Sequence, residues 1–106
     1  MLESKFQAKL IEELESIFEG CIILKNDANY IQGFPDLLIL YNNTWAALEC
    51  KQKAESRYQP NQEYYLEVLD KMSYASVIWP EIKEEVLNEL QHAFRHRGPT
   101  RISKCL

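Results

Sequence analysis

The sequence predicts an α/β protein in which one sheet carries helices packed on it. Three observations lead there. Three segments repeat apolar residues at helical spacing, and four short apolar runs lie between them, bounded by Gly, Pro or Asn. The resulting order, α-β-β-β-α-β-α, mixes the two element types along the whole chain. The third strand reaches the fourth through a helix, so that pair is expected to be parallel.

The first helix is expected over 3–18, where Phe6, Leu10, Ile11, Leu14, Ile17 and Phe18 form one apolar stripe. Gly20 is a natural stop. Residues 21–24 (CIIL) read as a strand, and the polar, Gly-containing stretch 25–34 as a loop. Strands follow at 35–41 and 44–51. Asn42 and Asn43 between them suit a tight hairpin, because Asn tolerates positive φ. A second loop covers 52–60. Pro60 is expected in the first turn of a helix that runs to about Met72, with Tyr65, Leu66 and Leu69 inward. Residues 74–79 (YASVIW) form the fourth strand, stopped by Pro80. A last helix over 81–94 turns Ile82, Val86, Leu87, Leu90 and Phe94 inward.

Composition narrows the function classes. A chain of 106 residues is expected to form one domain, 1–106, with a basic tail over 95–106. The longest apolar runs are five residues, as at Leu37–Tyr41, far short of a membrane span. The start, MLESKF, lacks the pattern of a signal peptide. Cys21, Cys50 and Cys105 are odd in number and lack metal-site spacing, so a reduced, cytoplasmic protein is expected. The net charge is −4, yet Arg95, Arg97, Arg101 and Lys104 cluster at the C-terminus without an acid, leaving −8 on the rest. An acidic body argues against purely electrostatic nucleic-acid binding. It leaves room for a nucleic-acid enzyme whose acids hold a metal. The tail reads as a solvated terminus first and as a phosphate-contacting arm second.

The charges in GFPDLLILYNNTWAALECK, residues 33–51, carry the functional signal. A two-residue turn at Asn42-Asn43 sets Tyr41 against Thr44. Asp36 then lies opposite Glu49, on one face, with Cβ atoms about 5 Å apart. Lys51 shares that face, and Cys50 points the other way into the core. Opposed carboxylates repel. A bridging lysine, protonation of one acid, or a divalent cation would each relieve the strain. Mg²⁺ commonly takes one or two carboxylates and keeps several waters. A three-residue turn would place Glu49 on the opposite face. Any one acid at a strand end reads more simply as a solvated charge; the trio across one hairpin does not.

Pro35-Asp36 followed by Glu49-Cys50-Lys51 resembles the PD-(D/E)XK nuclease superfamily, and the αβββαβ order resembles its core. Gly33-Phe34-Pro35-Asp36, then Glu49-Cys50-Lys51, then Gln62 in the next helix is similar to the VRR-NUC branch. The likeness spans residues 3–80 by element order. It implies a restriction-endonuclease-like fold, a mixed central sheet flanked by helices, here with an extra C-terminal helix. It implies that Asp36 and Glu49, with the Cys50 carbonyl, bind Mg²⁺ or Mn²⁺. Lys51 would position the attacking water and stabilise charge at phosphorus, and Gln62 would support Lys51 or touch DNA. A first-helix glutamate would complete the site. Glu3 matches by position, with Glu12, Glu13 and Glu15 as competitors. Relatives with a Gln-x-x-x-Tyr helix carry Tyr where this chain has Leu66. The resemblance further implies a DNA endonuclease acting on Holliday junctions or other branched DNA in repair and recombination, a homodimer, and a viral source.

Other signals are weaker. Lys53, Arg57 and Lys71 flank the expected site and could hold phosphates, as could Arg95 and Arg97. Each alone reads as a solvated charge. His92 and His96 stand at i, i+4 without a third ligand at zinc spacing. Tyr64 and Tyr65 read as helix packing rather than base-stacking platforms. Two other function classes remain: a catalytically silent nucleic-acid-binding module, and an acidic protein-interaction domain.

Overall fold

The structure is a computed structural model and describes residues 3–27 and 29–97, without the side chains of 96 and 97. Its elements are α1 (Glu3–Ile17), β1 (Ile22–Lys25), β2 (Leu37–Tyr41), β3 (Thr44–Cys50), α2 (Gln62–Met72), β4 (Tyr74–Ile78) and α3 (Lys83–Arg97), the last entered through a 3-10 turn, Pro80–Ile82. The sheet order is β1-β2-β3-β4. The first two pairings are antiparallel, and β3 pairs parallel with β4 across the α2 crossover. The fold is thus the mixed α/β arrangement expected, a mixed sheet flanked by helices. Among the described residues no helix is long and apolar enough to cross a membrane.

Alternation along each strand builds two unequal layers. Leu37, Ile39, Ala46, Leu48, Cys50 and Ile78 face α1 and α3 and meet Phe6, Leu10, Leu14, Val86, Leu87, Leu90 and Phe94 in the main core. The opposite face is smaller. There Ala47 and Ala75 pack against Leu69 of α2, with Phe34, Trp45, Tyr65 and Leu66 half-buried around them. Over β1 and β2 that second face leaves Ile22, Leu24 and Leu40 exposed.

Several boundaries differ from expectation for identifiable reasons. Ile17 is exposed rather than part of the buried stripe, because α1 ends there. Phe18 turns inward instead, with its ring centroid 5.2 Å from Tyr41 and 5.0 Å from Phe94. Gly20 has φ +88, the left-handed conformation that ends the turn. The α2 helix starts at Gln62, so Pro60 lies outside it. Asn61, at φ 72, breaks the helical path between them. The 3-10 turn after Pro80 delays α3 to Lys83, and α3 continues past 94 to Arg97. The salt bridge from Lys83 Nζ to Glu13 Oε1, 2.7 Å, joins α3 to α1.

Candidate active site

The hairpin register positions the site. Tyr41 pairs with Thr44 and Leu37 with Leu48, and Asn42 takes φ 54 in a two-residue turn. Continuing that register brings Asp36 opposite Glu49. The two strands are joined there by a crossed pair of bonds. The Asp36 N–H donates to Glu49 Oε1 at 3.2 Å, and the Cys50 N–H donates to Asp36 Oδ2 at 2.9 Å. Each carboxylate takes an N–H that the ladder would otherwise give to a carbonyl. For that reason β2 begins at Leu37 and not at Pro35.

Lys51 is 5% exposed, and Glu49 is 3% exposed. The Lys51 backbone N–H continues the parallel pairing to the Ile78 carbonyl at 2.9 Å. Its Nζ donates to Gln62 Oε1 at 2.8 Å and to the Arg57 carbonyl at 2.9 Å, and lies 3.6 Å from Glu49 Oε2. The Tyr58 ring centroid is 4.9 Å from that nitrogen, within cation–π range. Gln62 Nε2 donates to Glu49 Oε2 at 2.7 Å, while Gln62 Oε1 also accepts the Gln59 N–H at 2.7 Å. The carboxamide is therefore oriented by its neighbours, oxygen toward the cation and nitrogen toward the anion. Gln62 reaches this point because it continues the inward stripe of α2, which runs through Tyr65, Leu66 and Leu69.

The electrostatics follow from burial. Desolvation, then the Asp36 charge, push the Glu49 carboxyl up to about 7, with Lys51 and the Asp36 N–H opposing. Burial also raises Asp36, against the Cys50 N–H and Lys51. Glu3, at the start of α1, is raised by partial burial and then by Asp36, with Lys51 opposing. Those couplings put Glu3 within electrostatic reach of the pair. Glu13 is paired with Lys83, Glu15 lies beside Cys21, and Glu12 is exposed. Cys50 is fully buried, and desolvation pushes its thiol up to about 12, so its sulfur belongs to the core.

The donor set fits a hard divalent cation. Two desolvated carboxylates, with Asp36 raising Glu49, favour a positive charge between them. Their oxygens keep lone pairs beyond the bonds described. The N–H and C=O of one strand residue point the same way, so the Cys50 carbonyl is directed to the side where its N–H meets Asp36. Two carboxylates, a carbonyl and waters match the habit of Mg²⁺. Among the described residues no group of three or more His, Cys, Asp or Glu side chains is arranged to hold a metal.

The expected phosphate contacts divide. Lys53 and Arg57 lie exposed on the loop that covers Lys51, and Arg57 supplies its carbonyl to the site. Lys71 is nine residues along α2 from Gln62, about 13 Å by helical rise, and pairs with Glu67 at 3.5 Å. Arg95 lines a cavity with Phe18, Tyr41 and Asn42 at the hairpin turn, about 20 Å along the strand from Asp36. The expectations for the Arg97 side chain, His96 and residues 98–106 lie outside the described residues.

Three site-supporting residues had no expected role. Asn26 donates its N–H to the Asp36 carbonyl at 2.8 Å and its Nδ2 to the Pro35 carbonyl at 2.6 Å, clamping the strand start. Gly33, at φ +89, lies so close to the α2 entry that a Cβ would overlap the Pro60 carbonyl oxygen and Asn61. Tyr58 roofs Lys51. An aromatic residue in the polar run SRYQPNQ is a visible signal; Asn26 carries none.

This four-stranded mixed sheet with flanking helices is compatible with a restriction-endonuclease-like architecture. It is similar to a solved structure named "VRR_NUC domain protein", with a TM-score of 0.65 and 18% identity over 90% of this chain and 89% of that one. At that identity the shared property is the fold. No family model matches the sequence, and the search of curated proteins returns no match.

Proposed function

We propose that this protein is a Mg²⁺- or Mn²⁺-dependent DNA endonuclease that hydrolyses phosphodiester bonds. One observation carries the reading: the buried Glu49, Lys51 and Gln62 and the half-buried Asp36 converge, linked by hydrogen bonds, at one end of the sheet. Asp36, Glu49 and the Cys50 carbonyl would hold the ion, and Glu3 could reach it through water. When bound, the ion supplies Lewis-acid polarisation of the phosphoryl group and a lowered pKa of water. Lys51 holds a positive donor where charge develops at phosphorus. Gln62 and the Arg57 carbonyl orient its ammonium, and Tyr58 shields it. Lys53 and Arg57 are the basic side chains best situated for flanking phosphates. The VRR_NUC likeness in fold supports the same class. Branched DNA, cut by a homodimer with one site per strand, is the substrate arrangement this reading favours, in the cytoplasm of a host cell if the source is viral.

A specific observation favours a second reading, a silent DNA-binding module. Lys51 Nζ already has the Gln62, Arg57 and Glu49 oxygens around it, so a substrate must displace one of them. Incubation with a four-way junction, a linear duplex and a single strand, each with Mg²⁺, Mn²⁺ or EDTA, separates the two. The enzyme reading expects cleavage that EDTA abolishes and that Asp36→Ala or Lys51→Ala lowers by roughly 10²-fold or more. Binding without cleavage in every metal sinks it.

A further inference from the structure

An open cleft lies where the loop after β1 leads into β2. It has a volume of about 550 Å³ and is lined by Lys25, Tyr30, Ile31, Phe34 and Leu38 among others. Phe34 and Leu38 bracket Asp36 in sequence. Leu38 also lies on the sheet face of Asp36 and Glu49, because alternate residues of a strand share a face. Two of its lining residues thus lie two positions from Asp36, within about 7 Å of its backbone along the chain, which sets the cleft next to the carboxylate pair without either acid lining it.

Its walls set the apolar and aromatic Tyr30, Ile31, Phe34 and Leu38 beside the polar Lys25, Asn26 and Asp27, and they are held in place. Phe34 is fixed edge-on against Tyr65, ring centroids 5.5 Å apart, and Asn26 ties the loop back to Pro35 and Asp36. Tyr30 at the rim is 85% exposed, an aromatic ring in water with little packing to explain it. The chain is acidic overall, and among the described residues only Lys53 and Arg57 of the expected basic contacts stand by the site. An acidic protein that engages a polyanion needs a term other than counterion release, and stacking of bases on aromatic rings is such a term. A base paired within a duplex cannot enter a cleft in the protein surface; an unpaired one can.

We infer that this cleft receives an unpaired nucleobase of the nucleic acid beside the scissile phosphate, stacked against Tyr30 and Phe34. The substrate class is then a strand with at least one unpaired nucleotide next to the cut: a branch point, a flap or a single strand. The inference rests on the nuclease reading for the position of the cut, and on the cleft alone for the binding.

Binding is measured by fluorescence anisotropy in EDTA, so that no cleavage intervenes. The probes are a labelled single strand, a duplex with splayed ends and a blunt duplex. Tyr30→Ala, at an exposed position, should weaken the first two by roughly tenfold and leave the third unchanged, with Tyr30→Phe restoring affinity. A 2-aminopurine at the unpaired position should be quenched by the unsubstituted protein and not by Tyr30→Ala. Equal losses on all three probes, no loss, or a fluorophore that stays bright overturns the proposal. A change in sedimentation without a change in affinity also overturns it, because a second copy of the chain would then cover the cleft. The two readings fail separately. Cleavage that needs Asp36 but ignores Tyr30 leaves the enzyme standing without the cleft. Tyr30-dependent binding without any cleavage leaves the cleft standing without the enzyme.

Discussion

The two ends of the β2–β3 hairpin are made from the same two strands and do opposite things. At the turn end, the rings of Tyr41, Phe18 and Phe94 meet with centroids 5.0–5.4 Å apart, and the contact is apolar. At the open end, Glu49 and Lys51 are buried beside the half-buried Asp36, and hydrogen bonds do the joining. Burial of apolar rings stabilises without condition. Burial of two carboxylates and an ammonium carries a desolvation cost that pairing offsets only in part. One end is therefore a source of stability, and the other a site where strain is held for use. They share a sheet but face different layers, the aromatic cluster toward α1 and α3 and the charges toward α2.

The largest effect on this contrast should come from the turn end. Phe94→Ala removes the ring that touches both Phe18 and Tyr41. It should lower stability by about 3–5 kcal/mol, read as a fall in the urea midpoint. The cleavage rate per folded molecule should hold, since Asp36 is about 20 Å away along the strand. Loss of cleavage in molecules that remain folded would break the division between the two ends.

Next in size is the pH response of the open end. The Glu49 carboxyl is raised from 4.5 to about 7, and Asp36 is raised as well. Between those values the folded protein binds a proton that the unfolded chain has released. Stability should therefore fall as pH rises from about 4.5 to 7, by roughly 2–3 kcal/mol, and then level off. Glu49→Gln should flatten that slope. A divalent ion favours the ionised pair, so Mn²⁺ should raise the melting temperature more at pH 8 than at pH 5.5. Denaturation followed across pH, with and without Mn²⁺, checks both. A stability that rises over the same interval would contradict the buried-pair account.

The smallest effect should arise in the loop beside the open end. Gly33→Ala places a methyl group against Pro60 and Asn61 at a φ of +89. The strain should cost about 1–2 kcal/mol. Its sharper signature lies in activity, because the displaced α2 entry carries Gln62 away from Lys51 and Glu49. A roughly tenfold fall in cleavage rate with substrate binding kept, from single-turnover kinetics, would tie the Gly33 loop to Gln62 positioning.

Much of this architecture was legible in the residues. Strands separated by Asn42-Asn43 specify a hairpin, and period-2 alternation specifies which side chains share a face. From those two rules the pairing of Asp36 with Glu49 follows by counting, and the register agrees. Helical stripes located α1, α2 and α3. The misses have local causes. Asn61 takes a left-handed conformation that propensity does not foresee, and it moves the start of α2 to Gln62. Lys71 was expected to flank the site, and Arg95 to hold phosphates. Helical rise and strand length carry both away from it.

The sequence by itself determined the elements, their order, the face each side chain occupies, and the meeting of two acids and a lysine at one strand end. Those properties depend on backbone periodicity and turn length, which act over a few residues. Only the tertiary structure decided how that cluster is tied together. The Arg57 carbonyl and Tyr58 come from a loop, Gln62 from a crossover helix, and Asn26 and Gly33 from a second loop. Their approach to Asp36 and Lys51 depends on how three separate segments pack over one end of the sheet, and no local pattern encodes that contact.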